Sequence, residues 1–166
     1  LVKKVDVVVE NFANGVMERL GFGYETLKSV NPTIIYASGT GFGSNSPYKD
    51  LPAMDLTVQA MSGIMSITGF EDRPPVKAGP AIADFMGGIH LFSGVMTALY
   101  KKERTGKGER VEVSMMDAVY PSLSSNLGYY FGRKQPPPRT GNRHGGLAES
   151  PYNVYPTKDG HIAIIC

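Results

Sequence analysis

The stretch from Val5 to Ala37 opens with Val5-Asp6-Val7-Val8-Val9 and closes with Thr33-Ile34-Ile35-Tyr36-Ala37. The opening run is apolar apart from Asp6 and reads as a buried strand. The closing run is rich in β-branched side chains, which suit a pleated surface and predict a second strand. Between them, Glu10-Asn11-Phe12-Ala13-Asn14-Gly15 leaves the first strand as a loop. Val16, Met17 and Leu20 then recur, with Leu27 after a glycine-containing break, which predicts a helix or two short ones. Asn31-Pro32 is a turn signal. Strand, helix, strand is a βαβ unit, so a parallel sheet with helices on its faces is expected.

Outward from that unit, Gly39-Thr40-Gly41-Phe42-Gly43 runs on to Pro47 as a loop, and Leu56 to Thr68 has the composition of a helix. Pro80 precedes a long helix expected to reach about Lys102; proline is tolerated near a helix start because its missing N–H would be unpaired there anyway. Glu109 to Val113 alternates like a strand, and Met115 to Phe131 looks helical despite Pro121. Pro136-Pro137-Pro138 is a stiff linker. The expected organisation is α/β: a Rossmann-like large-domain portion over 1–135, with parallel strands and a long buried helix, then the start of a small α+β domain over 136–166. Tyr152 to Tyr155 and His161 to Ile165, joined by Lys158-Asp159-Gly160, predict a hairpin in that second part.

Composition narrows the function classes. The apolar fraction of 42% is ordinary for a globular chain. Seventeen basic against 15 acidic residues leave a net charge of only +2, which argues against a nucleic-acid binder. With Cys166 alone there is no intrachain disulfide and no CxxC site, and a reducing, cytoplasmic setting fits best. No apolar run is expected to reach the roughly 20 residues that span a membrane. The first residues, Leu1-Val2-Lys3-Lys4-Val5-Asp6, resemble no targeting sequence, and the expectation is an internal piece of a longer protein.

On the long helix, Ile82, Phe85, Met86, Ile89, Phe92, Met96 and Leu99 follow helical spacing, and Leu91, Val95 and Ala98 make the other side apolar too. Burial on both sides is therefore expected, yet Asp84 falls in the first turn. There the helix dipole stabilises a carboxylate by roughly 0.3–1 kcal/mol. Gly87 and Gly88 follow, each costing about 1 kcal/mol relative to alanine, so a neighbouring helix or a ligand must approach the backbone. On pattern alone, the stronger reading is a first-turn carboxylate beside helix-packing glycines.

Longer-range matches reverse that preference. Ala83-Asp84-Phe85-Met86-Gly87-Gly88, then Ala98-Leu99-Tyr100, then Arg104-Thr105-Gly106-Lys107-Gly108-Glu109, resembles the signature of the class III CoA-transferases, a family that includes formyl-CoA transferase, the carnitine CoA-transferases and α-methylacyl-CoA racemase. Asp6 to Phe12, Met17 to Gly21 and Val113 to Ala118 continue the resemblance. It implies that Asp84 is the catalytic nucleophile, forming an aspartyl–acyl anhydride and then an aspartyl-CoA thioester. It implies a CoA-contacting loop at Asn11, Phe12 and Ala13, a basic residue near the CoA phosphates at Arg19, and a further CoA-lining segment at Pro52, Ala53, Met54 and Asp55. Gly145 and Gly146 fall where transferases carry a glycine-rich loop whose N–H groups stabilise an oxyanion, although Arg143-His144-Gly145-Gly146-Leu147-Ala148 has fewer glycines than that loop. Coenzyme A is implied as substrate and covalent intermediate, with no metal, nicotinamide or flavin. The partners implied are an acyl-CoA and a small carboxylic acid, with an interlocked homodimer and neither nucleic acid nor membrane. Exposed apolar surface is expected on an isolated piece of such a dimer.

One departure separates the family's branches. The racemase branch carries a histidine base beside the residue matching Asp55, where this chain has Met54, and a thioether cannot transfer protons. His90 is expected to pack or to cap a polar network, and His144 and His161 to lie on loops or surface. Two alternatives stay open: a racemase-type enzyme, and an inactive truncated paralogue with only a structural or binding role. The Gly39 to Gly43 loop lacks the GxGxxG spacing and is not followed by a helix start, which argues against dinucleotide binding. Lys101, Lys102, Arg104, Lys107 and Arg110 are interleaved with glutamates and read as a solvated helix end.

Overall fold

The computed structural model describes all 166 residues and divides them into two compact units, Leu1–Val58 with Ile82–Val119, and Gln59–Ala81 with Tyr120–Cys166. In the first unit, strands β1 (Val7–Glu10), β2 (Ile35–Thr40) and β3 (Arg110–Ser114) form a parallel sheet in the order β1-β2-β3. The helix predicted between β1 and β2 is two, α1 (Val16–Arg19) and α2 (Tyr24–Val30). Between β2 and β3 come α3 (Asp55–Met61), α4 (Ile64–Ile67) and α5 (Ile82–Thr105). The single helix expected over 56–68 breaks at Gly63, whose φ of +90° is a left-handed conformation open to glycine at little cost.

Side-chain alternation along β2 places helices on both faces. Tyr36 packs with Leu27 and Ile34, with Val2, Val8, Met17 and Tyr24 around them. On the opposite face, a Cβ added to Gly39 would touch Leu91 of α5 at 3.4 Å. Ile35, Tyr36 and Ala37 are almost wholly buried, as expected of a central strand covered on both sides.

The long helix, expected to be buried on both sides, is buried on one only. Ala83, Gly87 and Ala98 are buried, while Phe85, Ile89, Phe92, Met96 and Tyr100 are 49–69% exposed. The small residues lie about two positions from the large ones, roughly 200° around the helix. They let α5 approach β3 and the following helix α6 (Met115–Val119): a Cβ at Gly94 would stand 2.7 Å from Val111 Cγ1, and one at Gly87 3.0 Å from Met115 Cγ. By length and composition α5 also meets the criterion for a membrane span, which corrects the expectation that no segment would.

In the second unit, the helix expected over 115–131 is three pieces: α6 in the first unit, a 3₁₀ turn at Tyr120–Leu123 holding Pro121, and α7 (Ser124–Arg133). Arg139 gathers three carbonyls, from Phe70 (3.1 Å), Ser66 (3.4 Å) and Glu71 (3.3 Å). The predicted hairpin is present as β4 (Tyr152–Pro156) and β5 (His161–Ile165), paired antiparallel.

Candidate active site

Asp84 is an exposed residue in the first turn of α5. The N–H of Ala83, the residue before it, donates to Asp55 Oδ1 at 2.8 Å, across 28 residues of sequence. Asp84, Phe85, Gly88, Ile89 and Phe92 line a shallow groove of about 340 Å³. The two glycines now separate. Gly87 faces Met115 and serves packing, whereas nothing lies within 4 Å of a Cβ built at Gly88, which leaves bare helix backbone beside the Asp84 carboxylate. His90 binds Met86 O of its own helix through Nδ1 at 2.8 Å, so it joins no wider polar network through that atom.

A second recess, of about 300 Å³, sits on the α2 side of the sheet near its carboxyl edge. Strand register sets it up. Val8, Tyr36 and Arg110 form one row across the sheet, and Glu10, Ser38 and Glu112 the next, all on the same face. Glu10 accepts from Ser38 Oγ and from the Phe12 N–H (2.8 Å). Glu112 accepts from both the N–H and the hydroxyl of Ser44 and pairs with Arg110 at 3.1 Å, which pins the glycine loop after β2. No helix follows that loop until Asp55, so it offers no phosphate-binding helix start. The Tyr36 hydroxyl is pushed up to about 12, chiefly by burial and then by the negative charge of Glu10 and Glu18.

The predicted residues fall into distinct places. Phe12 and Ala13 line the second recess, and Asn11 is exposed just before them. Arg19 is exposed, with its guanidinium reaching back toward Gly15 at the recess wall. Pro52 and Met54 are exposed, and Ala53 packs against Gly41. Asp55 is the member of that segment that reaches α5. The chain runs from Lys49 and Asp50, in the recess wall, to Asp55, whose carboxylate meets the start of α5. Gly145 and Gly146 belong to the second unit, where Asn126 Nδ2 donates to Gly145 O at 3.3 Å and a Cβ at Gly146 would come within 2.9 Å of Ser125 O. Sequence reading missed Lys49, Ser38 and Ser44, and placed Arg110 in a solvated group. Only the β-register, which brings Arg110 beside Tyr36, gives it a different role.

A model of CoA-transferase family III matches residues 1–166, the whole chain. This chain belongs to CoA-transferase family III. The family III chain is similar to the acetyl-CoA:oxalate CoA-transferase of Acetobacter aceti, at 46% identity over 100% of this chain and 42% of that protein. It is also similar to the succinate–glutarate CoA-transferase of Agrobacterium fabrum, at 42% identity over 99% of this chain and 40% of that protein. Among solved structures, a CAIB/BAIF family protein from Brucella suis superposes with a TM-score of 0.86 and 38% identity, covering 99% of this chain and 43% of that one. The chain therefore spans less than half the length of these relatives.

Proposed function

We propose that the protein moves coenzyme A from an acyl-CoA donor to a carboxylic acid, with Asp84 as the nucleophile. The observation that carries this reading is the setting of Asp84: an exposed carboxylate at the start of a long helix, opening on an apolar groove with bare backbone at Gly88. Membership of the family supports it across the whole chain.

In the first step, an Asp84 oxygen attacks the thioester carbonyl. The C–S bond breaks, giving an aspartyl–acyl anhydride and CoA thiolate. The thiolate then attacks the Asp84 carbonyl carbon, forming an aspartyl-CoA thioester and releasing the donor acid with one Asp84 oxygen. The acceptor carboxylate reverses the sequence: it forms a new anhydride, the thiolate attacks the acceptor carbonyl, and one acceptor oxygen stays on Asp84. No proton has to move, because both attacking carboxylates are ionised. The start of α5 favours negative charge close to the reacting carbon.

The recess beside Phe12 and Ala13 is proposed for the uncharged part of CoA. Its wall sets Glu10, Glu18 and Asp50 against Lys49 and Arg110, an excess of one negative charge, which does not suit phosphates. Arg19, at the rim, is the proposed phosphate contact because its planar fork binds phosphate bidentately. Oxalate, succinate and glutarate appear in the names of the two relatives, so short dicarboxylic acids are the first acceptors to test.

The test uses the full-length protein, an acyl-CoA and an ¹⁸O-labelled acceptor acid. Mass spectrometry should find label in the peptide carrying Asp84 after turnover, and hydroxylamine should trap the thioester there. Asp84→Asn should lower kcat by about 10³-fold or more. Turnover without label on Asp84 would overturn the covalent route. Exchange of the α-proton with deuterium oxide in the absence of acceptor acid would point to the racemase chemistry that Met54 argues against.

A further inference from the structure

We propose that Asp55 is a positioning residue for Asp84, acting through the backbone at the start of α5. The proposal rests on the transferase reading for its kinetic consequence, and on geometry for the contact itself. Asp55 Oδ1 accepts the Ala83 N–H at 2.8 Å, a contact between two helices that are 28 residues apart in sequence. Ala83 is the second residue of α5 and is itself fully buried. Its N–H is one of the four at a helix start that have no partner within the helix. A carboxylate supplied from α3 meets that need with a charge-assisted hydrogen bond, about twice as strong as a neutral one.

Asp55 is in turn held by its own helix start. The Thr57 hydroxyl accepts from Met54 N–H at 2.9 Å and donates to Met54 O at 2.8 Å, and Met54 O also takes the Val58 N–H at 3.0 Å. This closes the first turn of α3 around Asp55. Val58, one turn on, is fully buried and anchors the helix. The chain of contacts runs from a buried valine, through Asp55, to Ala83 and so to the residue bearing the nucleophile. Without the Asp55 carboxylate, the first turn of α5 loses a fixed partner and is free to fray, as helix ends do. Asp84 has to meet a thioester carbon at a set distance and angle, and a displacement of about 1 Å there costs on the order of 100-fold in rate. The effect belongs in kcat, since the CoA recess is lined by other residues.

The test compares Asp55→Ala with Asp55→Asn in the full-length protein. Asparagine keeps a carbonyl oxygen that can accept from Ala83, whereas alanine keeps nothing. The expected result is a kcat lowered about 10- to 100-fold in the alanine variant, with KM for the acyl-CoA changed less than about threefold. The asparagine variant should recover most of that loss. Amide hydrogen exchange at Ala83 and Asp84 should quicken in the alanine variant and stay slow in the asparagine variant, whether or not the protein transfers CoA. A raised KM with unchanged kcat would make Asp55 a CoA contact instead. Asparagine behaving like alanine, or exchange unaltered by alanine, would overturn the positioning role. Turnover without ¹⁸O on Asp84 would refute the covalent route through Asp84 while leaving the exchange result to judge the contact.

Discussion

Tyr36 carries a proton that the folded chain holds more tightly than the unfolded one. Burial is the main cause, Glu10 and Glu18 and a hydrogen bond to Glu10 add to it, and Arg110 opposes it, for a net value of about 12 against 10. Below pH 10 both states keep the proton and the stabilisation is fully present. Between about 10 and 12 the unfolded chain releases it first, so the native state binds more protons and stability falls as pH rises. The full loss is roughly 2–3 kcal/mol. Denaturant midpoints measured from pH 8 to 12 should therefore decline more steeply for the natural protein than for Tyr36→Phe. Parallel curves would contradict this account. At this scale the sequence was legible where a motif carries the information: Asp84 stands in a six-residue run whose type can be read directly. The contact of Asp55 was not legible, because no local pattern says that a carboxylate in one helix will reach an amide in another.

At the scale of the element, α5 shows why periodicity alone misjudged burial. Both of its stripes are apolar, so hydrophobic spacing could not choose between them. Size chose: the sheet accepts the side with Ala83, Gly87, Gly94 and Ala98, because small residues allow close approach. The glycines along α5 consequently differ in what they tolerate. Gly94→Ala would drive a Cβ to 2.7 Å from Val111 Cγ1, and overpacking of this kind costs roughly 1–3 kcal/mol. Gly88→Ala meets no atom and should stabilise the helix by up to about 1 kcal/mol. If the groove receives the reacting groups, the same methyl should lower kcat/KM. Thermal unfolding and steady-state kinetics on the two variants should thus give opposite stability changes, with a stability–activity trade only at Gly88. Gly88→Ala with unaltered kinetics would remove the groove from the site.

Across the whole molecule, the distribution of residues between the two units follows contacts rather than sequence order. Residues 59–81 lie between two segments of the first unit yet belong with 120–166. Arg139 is the reason at atomic detail, since its guanidinium collects the carbonyls of Ser66, Phe70 and Glu71, and Gly141 N–H adds a bond to Gly69 O at 2.9 Å. Arg139→Ala should leave three carbonyls short of a partner, at about 1–3 kcal/mol in total once water compensates. The loss should appear as faster amide exchange in the second unit, with the β1–β3 sheet unaffected. Loosening of the sheet to the same degree would show that the two units unfold together.

The sequence by itself determined the parallel βαβ unit, the hairpin and the family, because each depends on local composition or on a short ordered motif. The tertiary structure decided which face of α5 is buried, that Arg110 belongs to a recess beside Tyr36, that Gly88 is bare while Gly87 is packed, and that Asp55 holds the backbone next to Asp84. These are all contacts between residues far apart in the chain. They are fixed by strand register and by how closely helices can approach, quantities that exist only once the chain has folded.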